Sequence, residues 1–289
     1  MNFQKYIYIV ISLISNVRSY NITAVFVAQY LSALFIFSKD PIELALKDWN
    51  LHFLILATIF SIAAGYLIND FYDRERDQIN NPFRVQLNQE IPTESQLISY
   101  IFFNFVGLIL AALVSGRAVL FYIVYQLFIW IYSHKLNKIV LINNISYSIL
   151  CIFPVFALFL YYKNFQSYLF IHAGFLFSIL LISDIIKDLR SEKGDLIFNY
   201  KTLPNTIGEK KTKMVVTLCS FLNLFFSIRI LLYENMGYMK YYFYANIFLI
   251  TLAILYLYKA KSRKEYLISH QIFKGIIILG IFSIVLIKI

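Results

Sequence analysis

Most of the side chains in this chain that could bind a metal or take part in catalysis belong to two groups of acidic residues. Six of its eight aspartates lie within residues 69–77 or 184–195. Positions four apart share one face of a helix, so each group would form a stripe of oxygen ligands. The first stripe consists of Asn69, Asp70, Asp73 and Asp77, and the second stripe consists of Asp184, Asp188 and Asp195.

Oxygen ligands grouped in this way suit Mg²⁺, which prefers octahedral oxygen coordination and often shares its ligands with substrate phosphates. Carboxylates four residues apart repel each other, so a stripe that serves solubility alone would need counter-charges or bulk water. That alternative, a solvated helix end, would use Arg74, Arg76, Lys187 and Arg190. Because two such stripes occur in a chain with only 16 acidic residues, we favour metal binding. We expect both stripes to face one cavity that holds a magnesium diphosphate.

The segments that must position these stripes are apolar enough to cross a membrane. Hydrophobic residues make up 60% of the 289 residues and charged residues 15%, whereas soluble domains have about 45–50% and about 25%. A spanning helix needs about 20 mostly apolar residues. Nine windows meet this requirement: 20–38, 50–68, 97–115, 118–133, 144–162, 166–184, 214–233, 241–258 and 271–288. We therefore predict an all-α, polytopic membrane protein whose second and sixth spans continue as helices through the stripes.

Three local patterns give further expectations. Residues 7–14 are apolar and follow Lys5 without a small-residue cleavage site, which indicates an amphipathic segment at the membrane surface. Residues 93–96 read Thr-Glu-Ser-Gln, which predicts a capping box at the start of span three. Gly65 lies one turn before Asn69, where a missing side chain would permit close helix packing.

The distribution of Lys and Arg indicates the orientation. If the N-terminus is inside, 19 of the 26 basic residues lie on the cytoplasmic side, as the positive-inside rule requires. We therefore expect the N-terminus and both stripes at the cytoplasmic face, in a bacterial cytoplasmic (inner) membrane. Topology and attraction to anionic lipid account for the net charge of +10, so no nucleic-acid partner is expected.

At the two stripes the sequence resembles the UbiA superfamily of intramembrane prenyltransferases, which carry N-D-x-x-D-x-x-x-D after the second span and D-x-x-x-D after the sixth. The resemblance extends along the chain. Further matching residues are Arg18 and Asn21 in span one, Asn80, Pro82 and Arg84 after the first stripe, Tyr132 and Ser133 ending span four, and Asn144 entering span five. Residues 194–208 are similar to the G-D…T-L-P…G pattern of the branch with digeranylgeranylglyceryl phosphate synthase and chlorophyll synthase.

Two segments depart from the family pattern. The usual R-P-[IL]-P-x-G reads Arg-Val-Gln-Leu-Asn-Gln at residues 84–89, so both of its prolines and its glycine are missing. The usual Y-S-x-x-L-K places Asn137 where the family has lysine. Lys138 or Lys135 would then have to supply that positive charge. These departures leave the metal-binding residues intact and affect the acceptor and the diphosphate contacts.

The resemblance implies Mg²⁺-dependent transfer of a prenyl group from a prenyl diphosphate to a lipophilic or membrane-surface acceptor, with release of diphosphate. The acceptor would be similar to geranylgeranylglyceryl phosphate or to an aromatic quinone precursor. It implies catalytic roles for Asp70, Asp73, Asp77, Asp184 and Asp188. The implied metal ligands are Asn69, Asp73, Asp77, Asp184, Asp188 and Asp195. Diphosphate would be bound by Arg74, Arg84, Lys138 and Lys187, and substrate by Asn21 and Tyr132.

We also expect a single domain, and we consider two functions other than catalysis. Residues 1–289 would form one transmembrane domain with two pseudo-repeated halves, 18–133 and 144–258, and a ninth helix. The alternatives to an enzyme are a transporter and a non-catalytic lipid-binding protein for an anionic ligand. Transporters usually place ionisable groups near the bilayer midplane on broken helices, whereas here the acidic residues lie at span ends.

Overall fold

The computed structural model describes residues 18–88, 92–233 and 236–288, and these form helices without any strand. Nine of the described helices are long and apolar enough to cross a membrane, which confirms the predicted all-α membrane fold. They are α1 Ser19–Ser32, extended by a π-helical turn Ala33–Phe37, α2 Trp49–Asn80, α3 Thr93–Val114, α4 Gly116–His134, α5 Ile142–Tyr162, α6 Ser167–Ile197, α7 Glu209–Leu231, α8 Lys240–Lys259 and α9 Arg263–Ser283. The predicted amphipathic segment 7–14 lies outside the described residues.

Helices α2 and α6 are much longer than a membrane span requires. They contain 32 and 31 residues, and a rise of 1.5 Å per residue makes each roughly 47 Å long, against about 30 Å of hydrocarbon. Both stripes lie in the C-terminal parts of these helices. Asp195 is still helical, so all three aspartates of the second stripe belong to α6. The predicted helical continuation through both stripes is therefore confirmed.

Short polar caps fix several helix ends. Asp48 accepts a hydrogen bond from Asn50 N at 3.1 Å and begins α2. A single residue, Ser115, separates α3 from α4 and accepts from Ala118 N at 3.1 Å, so the two helices form a tight hairpin. Ser262 and Glu265 form a capping box at the start of α9.

The predicted capping box at residues 93–96 is wrong. Pro92 is the N-cap of α3 and makes no side-chain capping bond. A capping box would need the Gln96 side-chain oxygen to accept from the backbone N–H of the N-cap residue, but the N-cap is a proline, which has no N–H. The Gln96 side chain instead donates from Nε2 to the Leu67 carbonyl at 2.9 Å. A buried contact with α2 has therefore taken the place of a local cap.

The chain forms two compact units, of which the first comprises residues 1–27 and 42–136. Within this unit α2 packs against α3 and α4. A Cβ atom added at Gly65 would lie 2.8 Å from Ile129 Cγ2, which confirms the expected close packing of α2 on α4. Deeper in the unit, the Tyr122 hydroxyl lies 2.7 Å from the Thr58 hydroxyl and donates to the Leu54 carbonyl at 2.7 Å.

The second unit comprises residues 28–41 and 137–289. Helix α6 is its central element and packs against α5, α7 and α9. Its core is apolar around Ile182, Ile186 and Phe273. A polar network crosses this core, where Asn246 donates to Asn223 Oδ1 at 3.1 Å; such interhelical bonds contribute about 1 kcal/mol in membranes. The expectation of two pseudo-repeated halves and a ninth helix stays a prediction.

Candidate active site

The first stripe lies on a mostly buried face of α2. Asp70, Asp73 and Asp77 are buried, and Asn69 is partly exposed. Asn69 Nδ2 donates to Asp73 Oδ2 at 3.0 Å, and Asn81 Nδ2 donates to Asp77 Oδ1 at 3.1 Å. The predicted ligands are therefore on one helix face, and their oxygens already have amide donors.

Neighbouring side chains further fix the first stripe. Arg76 forms an ion pair with Asp73 across one turn of the helix. Gln96 of α3 donates from Nε2 to Asp70 Oδ2 at 3.2 Å. The sequence does not reveal this role of Gln96, because a glutamine three residues after Thr93 matches the pattern of a capping box. No signal in the sequence separates the two roles of Gln96.

The start of α1 reaches the same face of α2. Asn21 Nδ2 donates to the Tyr66 hydroxyl at 3.1 Å, and the Arg18 guanidinium lies 5.1 Å from the centre of the Tyr66 ring. Tyr66 precedes Asp70 by four residues, one helical turn. The structure therefore brings Asn21, a predicted substrate-binding residue, to the position one turn before the first stripe.

The second stripe is more deeply enclosed. Asp184, Asp188 and Asp195 are 2–4% exposed. Lys187 forms an ion pair with Asp184. Asn144, which enters α5, donates from Nδ2 to Oδ2 of Asp184 and to Oδ2 of Asp188, each at 2.8 Å. Asn143 Nδ2 also donates to Asp188 Oδ2, at 3.1 Å.

The predicted diphosphate-binding residues have different surroundings. Lys187 Nζ lies 5.0 Å from the centre of the Tyr147 ring. Lys138 Nζ lies 5.3 Å from the centre of the Tyr200 ring, and Tyr200 N donates to the Asp195 carbonyl at 2.8 Å. Both lysines are therefore close to residues of the second stripe. Whether Lys138 or Lys135 takes the place of the expected lysine stays a prediction.

The other predicted residues are less closely associated with carboxylates. Arg74 donates from its guanidinium to Thr93 Oγ1 at 3.2 Å, which ties it to the start of α3. Arg84 lies in the short helix Pro82–Asn88, and its side chain lies outside the described part of the structure. Tyr132 is partly exposed at the end of α4, beside the buried Ser133.

The residues of the second stripe fit a bound Mg²⁺. Within the described residues, no group of three or more His, Cys, Asp or Glu side chains forms a metal site by itself. Mg²⁺ is usually held by one or two carboxylates together with waters and substrate phosphates. Asp184 and Asp188 provide such a pair. Asn144 Oδ1 is buried beside them and has no hydrogen-bond partner within the described residues, so an uncompensated oxygen lies next to the carboxylates.

Buried carboxylates at this spacing favour a divalent cation. Taking a carboxylate out of water is costly unless the charge is paired or bound to a metal. The second stripe places three buried carboxylates within twelve residues of one helix. A cation that bound there would lower both the desolvation cost and the mutual repulsion. A divalent cation held by these carboxylates could in turn bind the negatively charged oxygens of a phosphate group.

Comparison with known proteins agrees with this geometry. The family model for the UbiA prenyltransferase family matches residues 25–274. The chain is 30% identical over 173 residues to the digeranylgeranylglyceryl phosphate synthase of Pyrococcus horikoshii and 29% identical over 177 residues to that of Pyrococcus abyssi. These alignments cover 59% and 61% of this chain and 61% and 63% of the two relatives. The chain is therefore aligned over about three fifths of the length of the curated relatives it matches.

Solved structures share the fold over nearly the whole chain. One, from work on digeranylgeranylglyceryl phosphate synthase in membranes, superposes with a TM-score of 0.71 at 21% identity and covers 97% of this chain and 99% of the other. Another, a UbiA homologue from Archaeoglobus fulgidus bound to DMAPP and Mg²⁺, gives a TM-score of 0.70 at 14% identity, with 95% and 99% covered. The fold and the family match lead to one conclusion: the chain belongs to the UbiA prenyltransferase family.

Proposed function

We propose that this protein transfers a prenyl group from a prenyl diphosphate to a lipophilic acceptor, with release of diphosphate and with Mg²⁺ as cofactor. The observation that carries the proposal is the buried pair Asp184 and Asp188, joined by the amide of Asn144 near the end of a spanning helix. Family membership supports the reaction class. The Archaeoglobus fulgidus homologue, which binds DMAPP and Mg²⁺, supports the donor and the metal.

The two stripes have the same role in this proposal. Asn69, Asp73 and Asp77 would hold Mg²⁺ at the first stripe; Asp184, Asp188 and Asp195 would do so at the second. When bound, Mg²⁺ stabilises the negative charge that develops on the leaving diphosphate. Asp70 is held by Gln96 and keeps the first stripe in place. Both stripes are required in this proposal, because each would hold its own Mg²⁺.

Basic side chains would bind the oxygens of the diphosphate. Lys187 and Lys138 are the best supported, since one contacts Asp184 and the other lies on the ring of Tyr200 beside the second stripe. Donors of this kind stabilise charge most effectively when they are fixed before the reaction. Arg74 and Arg84 would serve the first stripe. Asn21 and Tyr132 would contact the substrate.

For the acceptor we propose a phosphorylated, ether-linked glycerol lipid. The support is the similarity to two digeranylgeranylglyceryl phosphate synthases and the G-D…T-L-P…G pattern of residues 194–208. An aromatic quinone precursor is the competing acceptor. The glycerol lipid would reach the protein from the membrane, so the spans would accommodate its apolar chain.

The nine apolar helices make this an integral membrane protein. We propose further that it lies in a bacterial inner membrane with its stripes at the cytoplasmic face. The support is the excess of Lys and Arg in the loops after even-numbered spans.

The proposal is tested by incubating purified, reconstituted protein with radiolabelled geranylgeranyl diphosphate, Mg²⁺ and a panel of acceptors. We expect label to appear in a prenylated product with geranylgeranylglyceryl phosphate and at most weakly with 4-hydroxybenzoate. Transfer to 4-hydroxybenzoate alone would overturn the acceptor assignment. Uptake of intact substrate into sealed vesicles, without any product, would overturn the enzymatic function and favour a transporter.

A further inference from the structure

Asn144 occupies an unusual position among the residues around the second stripe. It lies in the first turn of α5 and is 0% exposed. Its Nδ2 atom donates two hydrogen bonds of 2.8 Å, one to Asp184 Oδ2 and one to Asp188 Oδ2. One amide group therefore joins two carboxylates that lie on a different helix.

This contact opposes the repulsion between the two aspartates. Asp184 and Asp188 are one helical turn apart and both buried, so their negative charges repel each other strongly when no cation lies between them. Because both Oδ2 atoms bond to the same nitrogen, their separation stays below twice the hydrogen-bond length. Lys187, on the same helix, forms an ion pair with Asp184. Asn144 donates to both carboxylates and so links them directly.

Asn144 is itself held in place. Its backbone N–H donates to Asn143 Oδ1 at 2.7 Å, and Asn143 Nδ2 donates to Asp188 Oδ2 at 3.1 Å. The remaining polar atom of its side chain, Oδ1, is buried and has no hydrogen-bond partner in the described structure. An unpaired oxygen is costly to bury, and this one lies beside the carboxylates that would bind a cation.

From these contacts we propose that Asn144 is a positioning residue for the second metal site, an inference that rests on the proposed function. It keeps Asp184 and Asp188 together before the cation arrives, so that less of the binding free energy is used to order the ligands. Groups that hydrogen-bond to metal ligands typically change metal affinity or activity 10–100-fold when they are mutated. We expect an effect of that size.

The test replaces Asn144 by leucine, which has a similar size and no donor. Binding of Mn²⁺ in the presence of inorganic diphosphate is followed by electron paramagnetic resonance. We expect Asn144→Leu to bind one Mn²⁺ about 10–100-fold more weakly than the wild type. The Mg²⁺ concentration for half-maximal prenyl transfer should rise by a similar factor, while kcat at saturating Mg²⁺ changes less.

Asn246→Leu is the matched control. Asn246 is also 0% exposed, lies in the same unit, and donates to two side-chain oxygens, Asn223 Oδ1 at 3.1 Å and Ser227 Oγ at 3.0 Å. Its replacement should lower the thermal stability of the protein and leave the Mn²⁺ affinity unchanged. An equal loss of Mn²⁺ affinity in both variants would overturn the positioning role, because the effect would then be general destabilisation.

A second variant covers the case in which Asn144→Leu does not fold. Asn144→Ser retains one hydroxyl donor, which can serve only one carboxylate at a time, so its Mn²⁺ affinity should lie below that of the wild type. Wild-type affinity in either variant would overturn the inference while the proposed function stands. If the wild-type protein itself binds no Mn²⁺ with diphosphate, the metal-dependent function fails instead.

Discussion

At the scale of single residues, each stripe presents carboxylates on one helix, and side-chain amides donate hydrogen bonds to them. The spacing of Asp73 and Asp77 along one helix fixes their common face, and the structure has them buried on α2. The groups that hydrogen-bond to the stripes come partly from other helices. Gln96 and Asn144 are examples, and no periodicity within α3 or α5 could indicate them, because the contact depends on how two helices pack.

Removal of a single aspartate from either stripe should greatly reduce turnover. We expect Asp73→Ala and Asp188→Ala each to lower the rate of prenyl transfer by at least ~10²-fold, because each removes a charge that positions the metal at the leaving group. The rate is measured with saturating prenyl diphosphate and Mg²⁺ on purified protein of verified folding.

Asp40→Ala is the control for these variants, since Asp40 is exposed and lies in neither stripe. Its rate should equal that of the wild type. Near-normal turnover of either stripe variant would show that the altered stripe is not needed, contrary to the proposal that both stripes hold Mg²⁺ for the reaction.

At the scale of helices, hydropathy predicted all nine spans, since each needs only about 20 apolar residues. It placed the end of the second window at residue 68, whereas α2 continues to Asn80, and the stripe pattern supplied the continuation. The start of α3 was misinterpreted, because a local capping pattern at Thr93 cannot show that Gln96 is engaged with α2. Close packing was predicted at Gly65, but the residue it packs against, Ile129, was not.

Close packing of α2 on α4 depends on the missing side chain at Gly65. Its Cβ would lie 2.8 Å from Ile129 Cγ2, so Gly65→Val should destabilise the protein by about 1–3 kcal/mol, as overpacked cores do. Thermal unfolding in detergent measures the change. Adding Ile129→Ala, which removes the clashing methyl group, should restore part of the lost stability.

Gly116→Ala provides a comparison, because a Cβ at Gly116 has no neighbour within 4 Å. It should leave the unfolding temperature nearly unchanged. If Gly65→Val unfolds at the same temperature as the wild type, or if Ile129→Ala gives no recovery in the double variant, the packing explanation for Gly65 is wrong.

At the scale of the whole molecule, the order of the spans determines which loops share a side of the membrane. Both stripes follow even-numbered spans, so an N-terminus on the inside would place both at the cytoplasmic face. The basic residues support this orientation. Composition and charge together therefore predict topology as well as fold class, whereas the acceptor depends on details of shape that neither of them encodes.

Labelling of single cysteines tests this topology. In a background without Cys151 and Cys219, Arg84→Cys and Lys201→Cys should react with a membrane-impermeant thiol reagent in inverted vesicles and be protected in right-side-out vesicles. Gln166→Cys, in the exposed segment between α5 and α6, should show the opposite pattern. Labelling of residues 84 and 201 from opposite sides would disprove the assigned orientation.

The dependence of prenyl transfer on Mg²⁺ tests most directly whether the stripes serve catalysis. Wild-type protein is freed of metal with EDTA, reconstituted, and assayed with radiolabelled geranylgeranyl diphosphate and geranylgeranylglyceryl phosphate while Mg²⁺ is titrated back. We predict no detectable transfer without metal and full recovery with Mg²⁺, with Asp73→Ala and Asp188→Ala failing to recover at the same concentrations. Full transfer in the presence of EDTA would contradict a metal-dependent reaction at these aspartates.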